Sequence, residues 1–182
     1  MTIVKPFKNA KPTDITQGFS DSHQANDFAS TYGTFLCAPF NAKVLNIVTA
    51  SNIETTGEEL RRGFGIRIQS IEDPTISMTF WHCLPFFACE IGDTVLQGQP
   101  IGQMGNSGFV LSGGVYVEVD IRSLPPYPGT HTHISMGQNI GGVYSPWDYS
   151  KVISWDIPIN YSVIDTVSFL LKKLASFLNK GR

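Results

Sequence analysis

Apolar and polar residues alternate with a period of two through several short stretches of the chain, the pattern of half-buried strands. Ala42-Lys43-Val44-Leu45-Asn46-Ile47-Val48 and Phe64-Gly65-Ile66-Arg67-Ile68 read this way. In Ile76-Ser77-Met78-Thr79-Phe80-Trp81-His82 the alternation predicts one face made of Ile76, Met78, Phe80 and His82, with His82 at a strand end. Val115, Val117, Val119 and Ile121, interleaved with Tyr116, Glu118, Asp120 and Arg122, predict a ribbon with one buried face that stops at Pro125, Pro126 and Pro128. Glycines fall at turn-like intervals from Ile91 to Gly102, and Gly105-Asn106-Ser107-Gly108 predicts a second tight turn. After Tyr161 the period changes. Val163, Val167, Leu170, Leu171, Leu174, Phe177 and Leu178 recur at helical spacing and predict an amphipathic helix over 161–180. Asp165 and the pair Lys172-Lys173 argue against a membrane span. The expected cover for the stripe is the domain or a second copy, with a membrane surface as the alternative.

A chain of 182 residues with 42% hydrophobic content and a net charge of −2 is long enough for one well-buried core. Seventeen glycines and eleven prolines favour short strands and turns over a helical bundle. The expected architecture is mostly β, strands of antiparallel sheets over 1–155 followed by a helical tail over 156–182. The charge balance leaves no electrostatic footprint for nucleic acid. The three cysteines, Cys37, Cys83 and Cys89, are odd in number and lack Cys-x-x-Cys spacing, so buried free thiols are expected and a nucleophilic Cys83 ranks low.

The histidines bring in chemistry. His23 stands four residues before Asp27, His82 lies in Trp81-His82-Cys83-Leu84, and His131-Thr132-His133 supplies the remaining two. Neutral imidazoles with one carboxylate form an N/O set that suits Zn²⁺, and three protein ligands leave a position open for water. On a strand, His131 and His133 point to the same side, so one can hold metal while the other reaches water or a substrate carbonyl. Each residue alone is more simply a hydrogen-bonded structural group. Taken together, with no histidine left over, they favour a site.

The order of motifs from about Ile15 to Tyr149 resembles the lysostaphin-type zinc endopeptidases that cut peptide bonds in bacterial peptidoglycan. The parts, in order, are Thr16-Gln17-Gly18-Phe19, His23-x-x-x-Asp27, Gly33-Thr34 with Ala38-Pro39, Gly63-Phe64-Gly65, and Trp81-His82-Cys83-Leu84. They continue with Gly92-Asp93-x-Val95-x-x-Gly98-Gln99-x-Ile101-Gly102, Gly105-Asn106-Ser107-Gly108, Gly129-Thr130-His131-Thr132-His133, and Ser145-Pro146-Trp147-Asp148-Tyr149. The resemblance implies that His23, Asp27 and His133 ligate one zinc ion while His82 and His131 act beside it, His131 as base and His82 as electrostatic stabiliser or the reverse. It also implies an antiparallel β-sandwich as the fold and peptidoglycan peptides as substrate. The first ten residues hold no apolar run of signal-peptide length, so synthesis in the cytoplasm is expected, with access to the wall as a phage or prophage lysin or a virion component.

The chain departs from the pattern in places. Phe109 through Thr130 separate the Gly-Asn-Ser-Gly turn from the His-x-His strand, an insertion of a ribbon over about 109–128. A rival register would put Gly114-Val115-Tyr116-Val117-Glu118 on that strand and remove the ligand, giving an inactive relative. Such a relative, binding cell-wall peptides or serving as an adaptor, is the alternative function. Ala25 and Asn26 stand where the family has a glycine and an aliphatic residue, and Asn26 is a candidate partner for the ligand shell. Glu118 and Asp120 are read as exposed strand carboxylates before second partners of a ligand imidazole. The insertion, with Tyr116, Tyr127 and its prolines, is expected to wall the substrate groove.

Overall fold

The computed structural model describes residues 1–49, 62–160, 167–172 and 174–175. An antiparallel sheet runs in the order β2 (Ile15–Gln17), β3 (Asn26–Phe28), β12 (Thr132–Ile140), β7 (Ile76–Cys83), β6 (Phe64–Ser70), β5 (Ala42–Val48) and β8 (Thr94–Val95). β13 (Val143–Trp147) turns back onto the second half of β12. Three of these strands coincide with the alternating stretches, because each alternation separates a core face from a polar face.

On the core side the residues fall in cross-strand rows. Ile66, Phe80 and Ile134 are directly opposite one another, as are Ile68, Met78 and Met136, and all six are buried. Leu36, Phe40, Phe87, Ile101 and Met104 cover them from the other layer, whose strands β4 (Phe35–Cys37) and β9 (Pro100–Gln103) pair antiparallel. Burying side chains of this size contributes roughly 1.5–3 kcal/mol each before chain entropy is counted. A parallel pair, β1 (Ile3–Val4) and β14 (Ile153–Ser154), ties the two ends of the sandwich together, and the buried Tyr149 hydroxyl donates to Val4 O at 2.6 Å.

On the opposite side the same strands present Asn46, Arg67, Ser77, Thr79, Trp81, His133 and Ser135. These residues form the floor of a groove of ≈ 890 Å³. Alternation has therefore produced two surfaces from one sheet, a packed core and a polar, open face.

Two expectations change. The inserted ribbon is shorter than its alternation predicts: β10 (Leu111–Ser112) and β11 (Val115–Tyr116) form a small exposed hairpin, and α1 (Val119–Arg122) follows as one helical turn. A two-stranded ribbon with no sheet beneath it has nothing on which to bury a face. Only Val117 is buried, while Val119 and Ile121 remain exposed. In the tail, 167–172 and 174–175 are helical, and the rest of the expected helix 161–180 lies outside the described residues. Phe169, which is not on the predicted stripe, is the buried residue there, packed edge-on against Phe35 and Phe86, while Val167, Leu170, Leu171 and Leu174 face outward.

Candidate metal centre

β12 lies between β3 and β7, and this places His133 directly opposite Asp27 on one side and Trp81 on the other. His23 precedes β3 in a tight turn closed by reciprocal backbone bonds with Ser20. Three ligand atoms converge: His133 Nδ1 is 2.9 Å from Asp27 Oδ1, His23 Nε2 is 3.3 Å from the same oxygen, and the two nitrogens are 3.3 Å apart. Asp27 Oδ1 is buried with no hydrogen-bond partner. An unsatisfied buried carboxylate oxygen is costly unless something pairs with it, and a cation seated among these three atoms would do so. Burial alone would raise the Asp27 pKa, but the imidazoles of His133, His131 and His23 outweigh it and hold the carboxyl below its usual range.

His82 reaches the same site by a local irregularity. Phe64 pairs with Cys83 and Ile66 with Phe80, so β7 has one residue more than β6 over this interval, and His82 takes the left-handed backbone conformation, φ 60°. Such a bulge resets the alternation. Phe80 and Cys83 face the core, whereas Trp81 and His82 both line the groove. This corrects the expected shared face of Ile76, Met78, Phe80 and His82: strict period-two reading has no place for an inserted residue. His82 packs against His131, ring centroids 4.5 Å apart. His131 Nε2 lies 3.9 Å from Asp27 Oδ2.

Backbone carbonyls set the tautomers. A carbonyl oxygen only accepts, so His23 Nδ1 donates to Gly18 O at 3.1 Å, His82 Nδ1 to Ser107 O at 2.7 Å, and His131 Nδ1 to Gly129 O at 2.8 Å. Each neutral ring is left with an unprotonated Nε2, the form that binds metal or takes a proton. Burial, helped by His131, pushes the His82 pKa down to about 3, so this ring is neutral at pH 7.

All five residues singled out in the sequence meet here. The carbonyl anchors Gly18, Ser107 and Gly129 were not foreseen as site residues, although Gly105-Asn106-Ser107-Gly108 was recognised as a motif. Its role is to hold the bulge: Ser107 Oγ donates to Cys83 O and accepts from Phe64 N. Arg62, Arg67 and Tyr144 line the groove without having been predicted, since neither their spacing nor their type marks them in sequence. Gly65 leaves room for the Trp81 ring, which a Cβ at that position would overlap.

Other candidates lie elsewhere. The Asn26 amide donates to Asp148 Oδ1, away from the metal cluster, so it supports β3 and not the ligands. Glu118 and Asp120 are exposed, and the Asp120 carboxylate accepts from Ile121 N. The Cys83 sulfur faces the core and burial pushes its thiol pKa up, so it cannot serve as a nucleophile in the groove. Gly114–Glu118 lies on the hairpin and its flank, leaving the strand position of the rival register to residues 131–133. Phe109 of the insertion lines the groove and stacks on Tyr116, whereas Tyr127 stacks on Tyr32.

No family model matches the chain, and no curated protein matches it. Solved structures do. The chain is similar to LytU, with 22% identity and a TM-score of 0.54 over 77% of this chain and 83% of that one. A zinc-containing peptidase from Vibrio cholerae is similar at 16% identity and a TM-score of 0.55, covering 86% of this chain and 41% of the peptidase. The antimicrobial peptidase lysostaphin from Staphylococcus simulans aligns at 18% identity and a TM-score of 0.54, over 83% of this chain and 53% of lysostaphin. At these identities the likeness is one of fold, and the fold is that of the lysostaphin-type peptidases.

Proposed function

We propose that this chain is a zinc-dependent endopeptidase that hydrolyses peptide bonds of bacterial peptidoglycan. The observation that carries the reading is the triangle of His23 Nε2, Asp27 Oδ1 and His133 Nδ1, with edges of 2.9, 3.3 and 3.3 Å. Ligands about 2.0–2.1 Å from a tetrahedral zinc ion stand roughly 3.3 Å apart, so the donor set fits in size as well as in chemistry. The peptidase neighbours and the motif order support the same assignment.

When bound, zinc would lower the pKa of a coordinated water to about 7 and polarise a carbonyl. The chain supplies the rest. His131, its Nδ1–H held by Gly129 O, offers Nε2 beside the Asp27 carboxylate and is suited to take a proton from the attacking water and return it to the leaving amine. His82, fixed by Ser107 O and neutral at working pH, presents an accepting Nε2 and is placed to share the proton with His131; it would stabilise an oxyanion only after taking that proton up. The groove floor orients an extended peptide along the sheet, and Trp81 and Phe109 offer apolar contacts.

The test is digestion of purified peptidoglycan followed by mass spectrometry of the fragments. New amino and carboxyl ends, absent when the metal is chelated, support the reading and name the scissile bond. Fragments that are unchanged with zinc supplied leave a wall-binding relative as the function.

A further inference from the structure

Beyond the metal cluster the groove floor is organised around a guanidinium. Two residues along from the His133–Trp81 pair, the next row of the polar face runs Ser135, Thr79, Arg67, Asn46 across four strands, and in the row after that Ser77 stands opposite Gly137. Arg67 is exposed on this floor and donates from Nη2 to Ser77 Oγ at 3.2 Å. One edge of its fork is thereby held in place while other N–H groups stay available.

Tyr144 completes the feature. A Cβ on Gly137 would stand 2.5 Å from Ser145 O, 2.5 Å from Tyr144 Cζ and 2.6 Å from the Tyr144 hydroxyl oxygen. Glycine inside a strand weakens it, and it commonly marks a place where another group must approach the backbone. Here the missing side chain lets the phenol and the β13 backbone come down on the sheet, in the groove lining that Tyr144 shares with Arg67. The groove lining among the described residues contains no carboxylate, its charged members being Arg62 and Arg67 beside the histidines. Arg67 takes part in none of the ion pairs of the described residues.

We propose that Arg67 and Tyr144 form a carboxylate subsite of the groove, which receives an anionic group of the bound peptide. The proposal rests on the peptidase reading of the same groove and names a substrate feature within it. A guanidinium presents paired N–H donors that match a carboxylate, and the phenolic hydroxyl adds a third donor. Strands about 4.8 Å apart and a rise of about 3.4 Å per residue put Arg67 roughly 12 Å from His133 between Cα atoms. An extended chain covers about 3.3–3.6 Å per residue, so the recognised carboxylate lies three or four residues from the bond that is cut. It is either the free C-terminus of a short peptide or the side chain of an acidic residue.

Four alanine-based hexapeptides separate these sources: one ending in a carboxylate, one in an amide, and two amidated ones carrying Glu or Gln three residues past the centre. Each is titrated calorimetrically into the zinc-loaded protein, and cleavage of each is followed in parallel. The acid of at least one matched pair should bind about tenfold more tightly than its neutral counterpart, with the advantage shrinking as salt rises. Arg67→Gln should remove the advantage and Arg67→Lys should retain part of it. Tyr144→Phe, which keeps the ring on Gly137, should reduce it several-fold, and it serves as the test if Arg67→Gln misfolds. Equal binding within both pairs, or no binding by any peptide, overturns the subsite. So does a preference that survives Arg67→Gln. Carboxylate-dependent binding without cleavage would leave the subsite standing and remove the hydrolase, whereas cleavage indifferent to charge would do the opposite.

Discussion

His133 and Asp27 face each other across the β12–β3 ladder, with His133 Nδ1 2.9 Å from Asp27 Oδ1. Neither residue is near the other in sequence. Their approach is a consequence of register, and a slip of one residue in β12 would turn His133 to the core face. His133→Ala should therefore lose bound metal, measured as zinc equivalents per chain falling from about one to near zero under mild chelation.

His131→Ala makes the contrasting case. Its ring is not part of the three-atom cluster, and its Nε2 is 3.9 Å from Asp27 Oδ2. The variant should keep about one zinc per chain and lose about 10²–10⁴-fold in turnover. Metal content and peptide cleavage measured on one preparation distinguish the two variants. If both behave like the parent protein, the enzyme reading is wrong.

Much of this site was legible because strand alternation and the spacing of histidines are short-range signals. Strands β5, β6 and β7 of the large sheet, the outward pairing of His131 with His133, and the meeting of His23 with Asp27 are of that kind. The bulge at His82 was not legible, since nothing local distinguishes an inserted residue from a regular one. It depends on Gly65, Ser107 and the end of β6 being present together. The exposed α1 turn was missed for a related reason: apolar alternation at Val115–Ile121 predicts a buried face only if a second layer exists to cover it.

The left-handed conformation of His82 has its own consequence. Asparagine tolerates that region, whereas a β-branched residue does not. His82→Asn should therefore be more stable than His82→Val by about 1–2 kcal/mol. Chemical denaturation of both variants, under conditions where each unfolds in one transition, tests it. An equal or reversed order would mean that the bulge rearranges freely.

Gly65 permits Trp81 to lie across β6, with the Arg62 guanidinium 5.7 Å from the ring centroid. Gly65→Ala should displace the indole and cost about 1–3 kcal/mol through overpacking. The same change should alter tryptophan fluorescence, and an unmoved spectrum with unchanged stability would show that Trp81 has another resting place.

Phe109 is the residue by which the insertion reaches the groove. Phe109→Ala removes an apolar contact without touching the metal cluster, so zinc content should stay the same while the ranking of cleaved peptides changes. A residue that merely fills space would lower all rates together. Product ratios from a mixed peptide pool separate the two, and an unaltered ratio would remove the insertion from any part in specificity.

Asp148 links acid stability to the strand that bears Asp27. Burial opposes its charge, but Ser150, Asn26 and Lys151 overcome this and keep its carboxyl below the usual range. Its Oδ1 accepts from Ser150 N at 3.1 Å, Ser150 Oγ at 2.6 Å and Asn26 Nδ2 at 3.1 Å, so the carboxylate braces β3 one residue from the cluster. For a carboxyl depressed in the folded state, the stabilisation is present in full above its unfolded pKa of about 3.9 and is lost as pH falls through the lower folded value. Asp148→Asn should thus be less stable than the parent at neutral pH. The gap should narrow as the medium is acidified below pH 4, because protonation then removes from the parent what the substitution has already removed. Thermal unfolding of both proteins from pH 7 to pH 3 reads this directly, and a gap that stays constant across that range would show that the Asp148 charge plays no part.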